Sequence, residues 1–264
     1  MRIALAQIGS TPSVEDNLDR IAEHVERAAR EHAEIVVLPE ASLVAFDGDV
    51  AGFAAHGAPR AHRRIAEMSA RFGITVVVGS FEQAPDGRIL NTLVVASPEG
   101  GWTSYHKIHL YDAFGYSESD SIAPGDEPVT LAVGEVRLGL SICYDVRFPE
   151  LYRRLATQDA QVQIVAASWG DGPGKAAQWD LLTRARALDT GSWVIAADQA
   201  VRDTATEGTT GAHPLGVGHS GIVRPDGTDL VRFGSLPEMR VIDIDVEDSA
   251  RVRAGIAVLD NARL

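Results

Sequence analysis

The runs IVVL (35–38) and VQIV (162–165) place Val or Ile on both faces of a strand, and nothing else in the chain constrains its fold as tightly. Successive strand side chains point to opposite faces, so a strand that is apolar on both must be covered on both. Short β-branched runs of this kind alternate with segments of helical period, which is the pattern of sheets covered by helices. Two sheets packed face to face, with helices on each outer surface, satisfy the demand.

The first half reads as a strand RIALAQI (2–8), a helix from about Val14 to His32 capped by Ser13 with Asp16 in its first turn, and a strand IVVLP (35–39). A helix over 59–72 opens at Pro59, closes at Gly73 and aligns Ile65, Met68 and Phe72 on one face. TVVVGSFEQ (75–83) follows, then a PDG turn and the runs NTLVVASP and GWTSYHKIHL, expected to meander antiparallel. The second half repeats the plan: VTLAV and VRLGLSIC as strands, a helix over 149–158, the strand VQIVAAS, the glycine-rich loop WGDGPGK, a helix over 175–189 ended by Gly191, and the strand WVIAADQ. A hairpin turns at Pro225, Asp226 and Gly227, and MRVIDIDV (239–246) closes the sheet ahead of a helical or irregular tail. The stretch 203–218, rich in Thr, Gly and Pro, reads as an excursion near a site mouth or an interface.

A 28.2 kDa chain with 45% hydrophobic and 23% charged residues fits one large soluble domain over 1–264. The formal net charge of −13, with no cluster of Lys and Arg, argues against nucleic acid or an anionic membrane as partner. The apolar run before Gly9 and Ser10, about six residues, is shorter than a signal peptide's and far shorter than a membrane span, so a cytoplasmic location is the expectation. The single cysteine, Cys143, excludes an intrachain disulfide and any site with two thiolate ligands.

Cys143 stands at the end of VRLGLSIC, directly before turn-capable and charged residues, where a side chain is aimed out of the mouth of a sheet. Glu40 ends IVVLPE in the same way, behind Pro39, which marks the exit of the strand. Lys107 lies in WTSYHKIHL, where alternation puts Tyr105, Lys107 and His109 on one face and His106 and Ile108 on the other. A thiol, a carboxylate and an ammonium delivered from strand ends can make a nucleophile, its base and an oxyanion stabiliser, with no metal and no cofactor. The bland alternatives are a buried structural thiol, a solvated strand-end carboxylate and a lysine snorkelling to a rim. The backbone N–H of Tyr144 would complete the oxyanion site beside Lys107.

Three segments, LPE around Glu40, YHKIHLYD around Lys107 and SICYDVRFPELYR around Cys143, resemble the signatures of the carbon–nitrogen hydrolase, or nitrilase, superfamily. FGYSESDSIAPGD, RARALD and GHSGIVRPDG extend the likeness over nearly the whole chain. The resemblance implies a four-layer αββα sandwich, usually paired into homodimers or larger assemblies, and a catalytic Glu, Lys and Cys with a second Glu beside them. Glu40 then corresponds to the general base, Lys107 to the oxyanion-stabilising lysine, Cys143 to the nucleophile and Glu118 to the second glutamate, although Asp112, Asp120 and Asp126 lie close by in the same loop. RFPELYR and the compact length resemble the branch of ω-amidases and deaminated-glutathione amidases, which implies hydrolysis of a small linear, carboxylate-bearing amide. Cleavage of N-carbamoyl amines, then of nitriles, are the alternatives within the superfamily, and a catalytically silent dimeric scaffold is the alternative outside it.

Arg147 can receive a substrate carboxylate or pin the RFPE turn, and Trp169 can wall the pocket. GDGPGKA (170–176) fails as a phosphate loop, because its glycine spacing is short and Ala176 replaces the magnesium-binding hydroxyl. His106, His109, His213 and His219 fit no metal motif, and a histidine base at 106 or 109 stays open as a competing mechanism. Ser220, in GHSG, is not a nucleophile elbow, and Arg184 and Arg186 read as ion-pair or interface residues on the long helix.

Overall fold

The computed structural model describes residues 1–113, 115–202 and 215–263. The first half runs β1 (Arg2–Gln7), α1 (Val14–Arg30), β2 (Ile35–Val37) and a short α2 (Val50–Gly52), which continues through a π-helical turn at Phe53–Gly57 into α3 (Ala58–Phe72). The meander β3 (Thr75–Gln83), β4 (Ile89–Ala96) and β5 (Trp102–His106) follows, then three two-residue strands, β6 (Asp112–Ala113), β7 (Tyr116–Ser117) and β8 (Ile122–Ala123). The second half runs β9 (Thr130–Val133), β10 (Val136–Ile142), α4 (Pro149–Thr157), β11 (Val162–Ala167), α5 (Lys175–Thr190) and β12 (Trp193–Asp198). It ends with β13 (Gly221–Val223), β14 (Asp229–Arg232), β15 (Glu238–Asp243) and α6 (Glu247–Gly255). Most of the 203–218 excursion, and His213, lie outside the described residues.

The two main sheets have the same plan. The first is ordered β15-β1-β2-β3-β4-β5, with β8 beside β4, and the second β9-β10-β11-β12-β13-β14. In each, three strands are parallel and joined by helices, β1, β2, β3 and β10, β11, β12, and the flanking strands run antiparallel. MRVIDIDV does not extend the second-half sheet. It returns to the first, pairing Ile3 with Ile242 and Leu5 with Arg240. The physical reason lies in β1, which is apolar on both faces and would otherwise leave an unpaired edge. β15 covers that edge as β9 covers β10.

Alternation sorts each strand between two cores. Ile3, Leu5, Ile35 and Val37 face the second sheet, where Leu138, Leu140, Val162 and Ile164 meet them. Their neighbours Ala4, Ala6, Val36 and Leu38 face outward onto Leu18, Ile21 and Val25 of α1 and Ile65 of α3. On the other side, Val165, Ala167 and Val194 face outward under Leu151, Tyr152 and Leu155 of α4 and Trp179 of α5. The four layers αββα result. Each fully buried Leu, Ile or Val contributes about 1.5–3 kcal/mol relative to exposure. The helices stop where the sequence dictates: Ser13 Oγ accepts from Asp16 N at 3.3 Å to open α1, and Gly73 ends α3 in the left-handed region at φ 65°.

Candidate active site

Three strand ends and one loop meet between the sheets. Beyond β2 the chain leaves through Leu38 and Pro39, and Ala41 takes a left-handed φ of 56° that turns Glu40 inward. The turn needs Gly79 of β3, because a Cβ there would collide with the Pro39 carbonyl, Glu40 Cα and Ala41 N. Glu40 is 1% exposed. Its Oε1 accepts from Asn91 Nδ2 at 2.7 Å, and its Oε2 accepts from the Ser168 backbone N–H at 2.7 Å.

Lys107 follows the end of β5, where its backbone N–H still donates to Asn91 O at 2.9 Å. Its Nζ donates to both carboxylate oxygens of Glu118 at 2.9 Å and lies 3.6 Å from Glu40 Oε1. Glu118 sits in a 3₁₀ turn at Glu118–Asp120 and accepts at Oε2 from Tyr111 N at 2.6 Å. The neighbouring Asp112 is exposed and engages Ser119 N, so the structure selects Glu118 from that loop's carboxylates as the partner of Lys107.

β10 ends at Ile142, and Cys143 opens a 3₁₀ turn, Cys143–Arg147, with φ at 47°. A non-glycine residue held in that region is uncommon and costs about 1–3 kcal/mol, which the surroundings must offset. The Cys143 Sγ lies 4.0 Å from Ser168 O. One residue, Ser168, therefore touches the carboxylate with its N–H and the thiol with its carbonyl. Tyr144 N–H leads the same short turn, where amides have no acceptor within the helix.

Burial sets the protonation states. It pushes the Glu40 carboxyl up, against the ammonium of Lys107, and Glu118 adds to the rise. It also pushes the Cys143 thiol well up, with Glu40 adding and Lys107 opposing. For Lys107, burial works to lower the pKa, but the carboxylates of Glu40 and Glu118 outweigh it and hold the ammonium above its ordinary value. These directions favour a neutral thiol beside a fixed cation over a preformed thiolate.

Further polar groups hold these parts in place. Asp145, 0% exposed, accepts from Tyr105 Oη at 2.7 Å and Ile142 N at 2.8 Å on one oxygen, and from His109 N at 3.0 Å and His109 Nδ1 at 2.8 Å on the other. It ties the lysine-bearing segment to the cysteine turn. Asp198, raised well above the usual carboxylate range by burial, accepts from Trp169 N at 2.7 Å and Val217 N at 2.9 Å. Gln199 Nε2 donates to Glu40 O at 2.8 Å and Ser10 Oγ at 2.7 Å.

The carbon–nitrogen hydrolase family matches residues 2–254. The chain belongs to that family. A protein named only as a hydrolase, from Mycobacterium tuberculosis, is 46% identical over 99% of this chain and 95% of its own. The deaminated glutathione amidase of Escherichia coli O157:H7 is 31% identical over 100% of this chain and 97% of its own. Among solved structures, a point mutant of the amidase from Nesterenkonia sp. AN1 superposes with a TM-score of 0.79 at 26% identity, covering 97% of this chain and 96% of that one; it shows Michael addition of acrylamide at the active-site cysteine of that protein. The family accounts for the four layers, and it is a family of hydrolases of carbon–nitrogen bonds.

The structure brings Glu40, Lys107, Glu118 and Cys143 together. Arg147 does not pin the RFPE turn by a hydrogen bond: its Nη2 donates to Gln178 Oε1 of α5 at 2.7 Å, and its guanidinium lies 5.1 Å from the centre of the Trp169 ring. Trp169 is 3% exposed and donates Nε1–H to Lys175 O at 3.0 Å. His106 is engaged by Glu82 at 3.0 Å, and His109 by Asp145 while stacked on Phe148. Arg184 pairs with Asp229, and Arg186 with Asp189 at 3.0 Å. Among the described residues no group of three or more His, Cys, Asp or Glu is arranged to hold a metal ion, and no helix is long and apolar enough to cross a membrane. Sequence reasoning missed Asn91, Asp145, Ser168, Asp198 and Gln199. Only Asp145, a charged residue two positions past Cys143, carried a local signal.

Proposed function

We propose that the chain hydrolyses the C–N bond of a small linear amide to an acid and ammonia through a thioester on Cys143. Glu40 accepts the thiol proton as sulfur attacks the carbonyl carbon. Lys107 and the N–H of Tyr144 hold the oxyanion, each donor worth about 3–4 kcal/mol of transition-state stabilisation. Glu40 returns the proton to departing ammonia, then activates the water that hydrolyses the thioester. Glu118 orients Lys107 and shares its charge. A carboxylate that must act as both base and acid gains from a raised pKa, and burial with a second carboxylate nearby raises that of Glu40.

The observation that carries this reading is Ser168, whose N–H binds Glu40 and whose carbonyl faces the Cys143 sulfur, setting base and nucleophile side by side. Arg147 and Trp169 form the substrate wall. The chain works without a cofactor, in the cytoplasm, as a homodimer or larger homo-oligomer. Leu181 and Leu188, 66% and 51% exposed on α5, support association through that outer helix. An ammonia-release screen across ω-amides, N-carbamoyl amines and nitriles, with Cys143→Ala as blank, tests the reading. Release from amides above the blank is expected. Release confined to N-carbamoyl amines or nitriles would replace the substrate class, and a signal no greater than the blank on every compound would favour the scaffold.

A further inference from the structure

A second cluster of titratable groups lies on the outer face of the first sheet and takes no part in the chemistry above. Glu82 of β3 accepts from Ser104 Oγ at 2.9 Å on Oε1, and its Oε2 lies 3.0 Å from His106 Nε2. The same carboxylate stands 3.6 Å from His62 Nδ1 of α3, and His62 Nε2 is 2.7 Å from Ser80 Oγ. Burial works to raise the pKa of Glu82, but hydrogen bonds from His106 and Ser104 outweigh it and hold the carboxyl below its ordinary value. Burial lowers that of His62, against the pull of Glu82. Glu82 is therefore an anion near neutral pH, and its bonds to β5 are charge-assisted.

This cluster borders the reaction centre through one strand. Ser104 and His106 point outward, whereas Tyr105 belongs to the core between the sheets and Lys107, next to His106, follows it inward. The backbone here is held in the plane of the sheet: Lys107 N donates to Asn91 O at 2.9 Å, and Gly125 N donates to Lys107 O at 2.8 Å. A Cβ on Gly125 would collide with the His106 carbonyl. Such bonds fix where the strand lies, but its roll about its own axis is set by the side chains on its two faces. β5 is the edge strand of its sheet, so only one full ladder resists that roll. A roll that frees His106 outward swings Lys107 in the opposite sense, and a misplacement of about 1 Å can cost 10²-fold in rate.

We infer that Glu82 and His106 are positioning residues for Lys107: their pairing on the outer face of the sheet sets the roll of the β5 exit, and so delivers the ammonium to Cys143 and the oxyanion on the inner face. As a statement about catalysis this rests on the reading of Lys107 as the oxyanion donor. Neither residue touches substrate. The His62 arm of the cluster ties α3 to the sheet and bears on stability, while the His106 arm bears on the site.

The test reads the lysine through the thiol. Lys107 opposes the burial that raises the Cys143 pKa, so a displaced ammonium leaves less thiolate. Cys143 is the only cysteine, and the rate of its alkylation by iodoacetamide reports on that one sulfur. His106→Ala is expected to slow alkylation near neutral pH about 3- to 10-fold. His106→Gln, which keeps a donor for Glu82, regains part of the loss. Lys107→Met slows alkylation about 10-fold or more, and adding His106→Ala to it slows the reaction no further. His62→Gln lowers Tm and leaves the rate within about twofold. A further fall in the Lys107→Met background, or an equal fall in His62→Gln, would mean general loosening and would overturn the inference, as would an unchanged rate in His106→Ala. With butyramide as substrate, His106→Ala is expected to lower kcat and leave KM nearly unchanged. Slowed alkylation in a protein that cleaves no amide would keep the positioning role and sink the amidase reading; amide cleavage with alkylation untouched by His106→Ala would do the reverse.

Discussion

Asp145→Asn tests the frame of the site more sharply than any change to the reacting groups. The carboxylate takes four hydrogen bonds, two per oxygen, in a fully buried position. An amide has one oxygen, so one pair of donors must face an NH₂ group. If that pair is Tyr105 Oη and Ile142 N–H, the phenol can rotate to accept but the backbone N–H cannot. If it is the His109 pair, the imidazole can change tautomer, and the His109 backbone N–H is stranded. Either orientation leaves one buried N–H without an acceptor, at about 1–3 kcal/mol, and replaces charged hydrogen bonds by neutral ones, for a total of about 2–5 kcal/mol. For a chain of this length that lowers Tm by about 2 °C per kcal/mol, roughly 4–10 °C. The Ile142 amide immediately precedes Cys143, so kcat falls with stability. Thermal and urea unfolding, run beside steady-state kinetics, give both numbers. The double mutant with Tyr105→Phe checks the geometry, because the two changes share one oxygen and must be non-additive. A cost below about 1 kcal/mol, or simple additivity with Tyr105→Phe, would refute this account of Asp145.

Other consequences follow from the same contacts. Gly79→Ala drives a methyl group into the backbone around Glu40, so activity should drop by about 10-fold or more and stability by about 1–3 kcal/mol, read by kinetics and unfolding. On the proposed mechanism Glu40 must be ionised to take the thiol proton, and its folded pKa is raised, so kcat/KM should fall on the acid side through an apparent pKa above the ordinary glutamate value; a limb at or below that value would contradict the burial argument. Glu118→Gln removes one of the two carboxylates that hold Lys107 charged and placed, and a fall in kcat of about 10²-fold or more, with the fold intact by circular dichroism, is expected. His109→Gln leaves the Cys143 and Glu40 pair in place, so residual turnover argues against a histidine base, whereas complete loss in a folded protein would favour one.

Much of this was legible because it is local. The alternation that buries Ile3 and Leu5 on one face and Ala4 and Ala6 on the other is visible in the strand's own letters, and so is the turn-prone exit beyond Cys143. The return of β15 to β1 was not, since MRVIDIDV reads the same at either sheet edge and its place is decided by which edge is open. The left-handed backbone of Ala41 and Cys143 was hidden too, because neither residue type announces it. Asn91, Ser168 and Gln199 matter through partners 51, 128 and 159 residues away, separations at which sequence periodicity carries no information. The partner of Arg147 on α5, Gln178, was hidden as well, because it depends on how that helix docks.

The proposed mechanism has the Cys143 sulfur, the Glu40 carboxylate and the Lys107 ammonium act on one acyl carbon. Acid-quenched intact-mass spectrometry during turnover of succinamate or butyramide measures this directly. An acyl adduct mapped to Cys143 is predicted in the wild-type protein, absent from Cys143→Ala and strongly reduced in Glu40→Gln and Lys107→Met. An adduct on another residue, or undiminished ammonia release from Cys143→Ala, would contradict it.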